Sequence, residues 1–98
     1  MRTHWAKRKK IKDTWIKLTK AQEYKQYQGQ VIVEYERHSV SPMDWDNLCA
    51  SFKIPGDTLV ACGIIKDDNP TVVTQFIPRW VKAKNNKHNK TVIKVYPI

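Results

Sequence analysis

Asp44 and Asp46 form a D-x-D pair, and Asp67 and Asp68 form a second acidic pair about 22 residues on. If the backbone through Asp44 and Asp46 is extended, its two-residue period turns both carboxylates to one side. Three carboxylates converging in one place repel one another unless a cation joins them. Hard oxygen ligands select Mg²⁺ or Mn²⁺, and Mg²⁺ keeps water positions open to a substrate phosphate. An ion so held polarises a phosphoryl oxygen and orients a hydroxide for in-line attack on a phosphodiester. Lys53 is the only base between Arg37 and Lys66, so it is the candidate to neutralise charge that builds on the phosphate in the transition state. The same residues also have a plainer reading. Asp46 can cap a helix, Asp67-Asp68-Asn69-Pro70 can form a polar turn, and Lys53 can be a solvated helix lysine.

Other chemistries find less support. Cys49 and Cys62 are thirteen apart, without the C-x₂-C spacing of a zinc site, and read as core thiols in a reducing compartment. His4, His38 and His88 have no spacing that pairs them. No Walker loop, G-x-S-x-G or G-x-G-x-x-G is present. Trp15, Phe52 and Phe76 are assigned to the core, whereas Trp5 and Trp45 lie beside the basic segment and the D-x-D pair.

The distribution of charge separates these acids from their surroundings. The chain of 98 residues has 18 Lys plus Arg against 9 Asp plus Glu, a net charge of +9. Residues 1–25 carry nine bases and two acids, net +7, and residues 79–98 carry six bases and no acid, net +6. The middle, residues 26–78, has three bases and seven acids, net −4. Basic ends point to a polyanionic partner. Carboxylates repel phosphate, so an acidic centre in such a protein has little use in simple nucleic-acid binding, whereas a bound metal would reverse its sign. No apolar run is long enough for a transmembrane helix, and the basic N-terminus lacks the apolar stretch of a secretory signal. A single domain over residues 1–98 is expected at this length.

The elements that must position these residues follow from periodicity. From about His4 to Gln26 there is no Gly or Pro, and Ile11, Trp15 and Leu18 fall at i, i+4 and i+7, predicting a basic amphipathic helix ended by Gly29. Gln30 to His38 reads as a strand, with Val31, Val33 and Tyr35 alternating against Ile32, Glu34 and Glu36. A helix is expected to start near Asp46-Asn47. Pro55-Gly56-Asp57 interrupts it, with Asp57 capping a second helix that Gly63 stops. Residues 71–83 and 90–97 are β-rich, joined by the polar run Lys84 to Asn89 as a hairpin loop. The fold class expected is α+β: a mixed sheet packed against helices, closing on a C-terminal hairpin.

The run DWDNLCASFKIPGDTLVACGIIKDDNP resembles the core of the RusA-type Holliday-junction resolvases. Its pattern is D-x-D-N-L, a lysine, an aspartate four further on, and G-x-x-x-D-D. Here these are Asp44, Asp46, Asn47, Leu48, Lys53, Asp57, Gly63, Asp67 and Asp68. HWAKRKKIKDTW is similar to the family's basic first helix, and the β-rich end matches its final strands, so the resemblance covers most of the chain.

The resemblance implies an α+β homodimer that resolves four-way DNA junctions with Mg²⁺ (or Mn²⁺), by paired symmetric nicks, in recombination and repair in a bacterial or phage-infected cytoplasm. It implies that Asp44, Asp46 and Asp68 bind the metal and that Lys53 is the catalytic lysine, with Asp67 a neighbour. Arg2, Lys7, Arg8, Lys9, Lys10 and Lys12, together with Lys82, Lys84, Lys87 and Lys90, are then expected to hold the DNA backbone without reading sequence. A two-fold dimer suits a junction of near two-fold symmetry. The chain departs from the family in three places. The first family strand is missing, Met43 stands where members carry a base, and Ala50 occupies the nearer of two positions used for the lysine. The alternative is a small basic nucleic-acid-binding protein without catalysis.

Overall fold

The computed structural model describes the backbone of residues 2–98, and the side chains from Lys7 onward except that of Arg8. The side chains of Arg2, His4, Trp5 and Arg8 lie outside the described residues. The elements run α1 (Arg2–Lys20), β1 (Val31–Ser39), α2 (Trp45–Ala50), α3 (Lys53–Ala61), β2 (Val73–Lys82) and β3 (Lys90–Pro97), with a short 3₁₀ turn at Asn86–His88. The domain is α+β, as the sequence implies.

The strand β1 is the spine. Its β-branched and aromatic residues suit a pleated surface, and Val31, Val33 and Tyr35 are wholly buried. The sheet order is β2-β1-β3. β2 runs parallel to β1, from Val31↔Val73 to Ser39↔Lys82, and β3 runs antiparallel to it, from Val31↔Pro97 to His38↔Lys90. The two C-terminal strands are therefore consecutive and oppositely directed, as expected, but β1 lies between them and takes the hydrogen bonds of both. Pro78 fits in β2 because that strand is an edge.

α1 stops at Lys20, short of the predicted Gly29. Nothing in residues 21–28 forbids a helix, but tertiary hydrogen bonds draw the chain away. Tyr27 N donates to Ile64 O at 2.9 Å, and the Gln26 side chain donates to Cys62 O at 3.3 Å. α2 and α3 are separate helices, with Asp44, not Asp46, as the N-cap of α2. Pro55 does not break α3. It sits in the first turn, where a helix leaves its N–H groups unpaired in any case. Gly56 is required there because a Cβ would lie 2.9 Å from the Phe52 ring. Gly63 ends α3 as predicted. Its φ is +73°, and Gly63 N donates to Val60 O while Ile64 N donates to Leu59 O, the paired bonds of a Schellman stop.

One face of the sheet is covered by helices. Val31 and Val33 pack with Leu59, Cys62, Ile64 and Ile65, and Ile16 of α1, Phe52 and Phe76 close the edges of this core. Tyr35, Phe52 and Phe76 form an aromatic trio with centroids 4.6 to 6.3 Å apart, a favourable range for edge and offset contacts. Cys62 is buried as expected, but Cys49 is exposed, because only Leu48 of α2 turns inward. The opposite sheet face carries Glu34, Glu36 and His38 of β1. There Glu36 accepts from Arg79 at 3.3 Å and Tyr96 donates to Glu34 at 3.4 Å.

Candidate nucleic-acid interface

The connection between β2 and β3 builds a basic cup. Ala83 N donates to Ser39 O at 2.9 Å, tying the start of the connection to the C-terminal end of β1. Asn85 then caps the 3₁₀ turn, accepting from Lys87 N at 3.0 Å and lying 2.8 Å from His88 Nδ1. The cavity so formed, about 430 Å³, is lined by Lys82, Lys84, Lys87 and Lys90 with His38 and His88. No carboxylate is among its described lining residues. Four of the sequence-assigned DNA lysines therefore share one concave surface. Nothing in the spacing of the two histidines signals that β1 and the connection meet. At the base of the cup His38 Nε2 lies 3.2 Å from Glu36 Oε1. That hydrogen bond, aided by Lys94 and Arg79, holds the Glu36 carboxyl below its ordinary pKa against the opposing effect of desolvation.

The basic face of α1 approaches the same end of the domain. Lys12 Nζ lies 3.9 Å from Asp57 Oδ2 in the middle of α3, and Cys62 Sγ contacts Ile16 O beyond its end. The two helices therefore run side by side in the same direction, with Lys7, Lys9, Lys10 and Lys12 towards the end of the sheet where β1 finishes. Lys9 is partly engaged by Asp13, at 3.7 Å.

The acidic residues divide between the two ends. Asp44 follows the C-terminal end of β1 and uses its carboxylate as a cap, with Oδ1 accepting from Asn47 N at 2.8 Å. Asp46 is exposed in the first turn of α2. The D-x-D segment enters a helix, so the alternation expected of an extended backbone does not apply. Trp45 between them is 69% exposed. Lys53 Nζ pairs with Asp57 Oδ1 at 3.3 Å, and Asp57 bridges it to Lys12. Asp57 is therefore an ion-pair partner and not the predicted helix cap. The i, i+4 spacing of Lys53 and Asp57 was the available signal.

Asp67 and Asp68 lie in the turn before β2, whose first residue Val73 is beside Val31 at the opposite end of β1. Asp67 Oδ1 accepts from Asp68 N at 2.7 Å, and both side chains are exposed. A nine-residue strand spans about 26 Å at roughly 3.3 Å per residue, and the two acidic pairs lie in connections at its opposite ends. Among the described residues no three His, Cys, Asp or Glu side chains form a group able to hold a metal ion. Asp44, Asp46 and Asp68 of one chain are thus not gathered into one such group. No helix of the described residues is long and apolar enough to cross a membrane. No family model, no curated protein and no solved structure matches the chain.

Proposed function

We propose that this chain is a structure-selective endodeoxyribonuclease that holds four-way DNA junctions and cuts them, with Mg²⁺ or Mn²⁺, as a two-fold dimer. Support comes from the nine motif positions between Asp44 and Asp68, and from where they fall in the fold. The observation that carries the reading is the placement of the D-x-D pair, the lysine cup without a described carboxylate, and the basic face of α1 towards the same end of the sheet. DNA drawn to those lysines runs beside the first acidic pair.

The second pair lies off the far end of β1, so one chain does not complete the catalytic set. In a two-fold dimer each contact occurs twice, with the roles of the copies exchanged. An arrangement in which the copies lie head to tail brings the Asp67-Asp68 pair of each to the Asp44-Asp46 pair of the other. The metal, when bound, supplies a Lewis acid at the scissile phosphate. The chain's own contributions are to hold backbone phosphates at Lys82, Lys84, Lys87 and Lys90, and to keep Lys53 in place through Asp57.

The test is cleavage of a synthetic four-way junction by the parent and by Asp46→Asn, each with Mg²⁺ and with Mn²⁺. The parent gives paired nicks and the variant binds without cutting. Equal cutting by both removes Asp46 from the chemistry. A second reading, a basic nucleic-acid-binding protein without catalysis, is favoured by the use of Asp44 as a cap and by the Lys53–Asp57 ion pair. Binding of the junction without cleavage by the parent, under both metals, would select it.

A further inference from the structure

A groove of about 800 Å³ lies between α1, α3 and β3, on the helix-covered side of the sheet. Its chemistry is mixed in a particular way. Trp15, Leu18 and Tyr24 give it an apolar and aromatic wall, while Lys10, Arg37 and Lys90 stand on its rim. No carboxylate is among its described lining residues. Leu18 is 61% exposed, so the apolar wall of α1 is not consumed by the core. Arg37 is held at the rim by its own hydrogen bond, with Nη1 donating to Lys90 O at 3.5 Å. Asn89 and Lys90 also line the basic cup, so the two cavities share these residues.

We propose that this groove binds a single-stranded DNA segment that continues from the cup. Trp15 and Tyr24 stack on bases, and Lys10, Arg37 and Lys90 take the phosphates between them. The alternation of apolar faces and cations matches the alternation of bases and phosphates along an unpaired strand. A purely apolar partner would strip water from three cations and return no opposite charge. Duplex DNA turns its base faces inward and offers nothing to the aromatic wall. The groove therefore adds to the proposed junction binding a preference for unpaired nucleotides, and it requires no cleavage.

Fluorescence anisotropy of labelled oligothymidylate and of a duplex of equal length, with the full chain, tests the assignment. Loss of one stacked base should weaken oligothymidylate binding by Trp15→Ala about tenfold. Duplex binding, carried by the cup, should change less than about twofold, because it does not use the aromatic wall. Trp15→Phe should keep most of the affinity, and Arg37→Gln should weaken binding of the single strand. A folded Trp15→Ala chain, judged by circular dichroism, that binds oligothymidylate as the parent does would overturn the proposal. So would loss of dimer in Trp15→Ala with unchanged oligothymidylate affinity, which would make the groove an interface between copies. Photocrosslinking of bromodeoxyuridine-substituted oligonucleotide to the parent covers the case of a misfolded variant. Crosslinks in α1 or β3 support the groove, and crosslinks confined to residues 84–88 refute it. None of these readouts depends on junction cutting, so failure here is separable from failure of the nuclease reading.

Discussion

Replacing Lys84 and Lys87 together by Ala should remove half of the lysines of the basic cup while leaving its frame intact. Both side chains are exposed, and the bond that builds the 3₁₀ turn uses the Lys87 backbone and the Asn85 side chain, so the turn survives. Each lysine that neutralises a phosphate contributes about 0.9 to the slope of log affinity against log salt on duplex DNA. If all four cup lysines engage phosphate, they account for a slope of roughly −3.6, and the double variant should lose about 1.8 of it. Over a fourfold rise in salt, from about 0.05 to 0.2 M, the parent should then weaken by roughly twelvefold more than the variant. Anisotropy titrations of a labelled four-way junction at several NaCl concentrations measure both slopes. Parallel slopes for parent and variant would refute the cup as a phosphate site, whatever the absolute affinities. Circular dichroism of the variant, matched to the parent, confirms that the comparison is between folded proteins.

Asp44 has a structural duty that can be separated from any chemical one. Asp44→Ala removes the N-cap of α2 and should destabilise the domain by about 1 kcal/mol, lowering Tm by roughly 5 °C. Asp44→Asn keeps a capping oxygen and removes the charge, so Tm should hold while junction cutting disappears. Equal loss of Tm in both would contradict the capping assignment. Glu36 ionises more readily in the folded state than in the unfolded chain, chiefly through its hydrogen bond with His38. Because its folded pKa is depressed, its stabilisation is present above the unfolded value and is lost as pH falls through the folded one. Glu36→Gln should therefore flatten the decline of Tm below about pH 4.3, the ordinary glutamate value. An unchanged profile from pH 6 downward would remove the His38–Glu36 contact from the account.

Much of the fold was legible because short-range patterns and the buried face agreed. The alternation in β1 correctly separated Val31, Val33 and Tyr35 from Glu34 and Glu36. Gly63 announced its positive φ, and the β-rich ends became β2 and β3. What failed was decided by contacts distant in sequence. α1 ends at Lys20 because Tyr27 and Gln26 bond to the residues after α3, which no local propensity encodes. The two C-terminal strands receive β1 between them, a choice of sheet order invisible in their own residues. Pro55 has the residue type of a helix breaker, but its position in the first turn of α3 makes it harmless. For the candidate site, spacing identified the acids and the lysine-rich connection but not which end of β1 each would occupy. The 9-residue α3 covers only about 13 Å at roughly 1.5 Å per residue. The turn after it completes the return to the start of β1, where Tyr27 N donates to Ile64 O. The two acidic pairs therefore separate for a topological reason, and the carboxylates near in sequence are not near in space.

The most direct test of the head-to-tail dimer mixes two inactive proteins. Asp46→Asn and Asp68→Asn, each unable to cut alone, are unfolded together and refolded in equal amounts so that their chains exchange. If each site draws its two acidic pairs from different copies, every mixed dimer has one intact site and one doubly defective site. Half of the dimers are mixed, so nicking of the four-way junction should return to about a quarter of the parental number of active sites, as single rather than paired nicks. If each site were built within one chain, both sites of the mixed dimer would carry a defect. The mixture would then remain inactive, which would contradict the shared site.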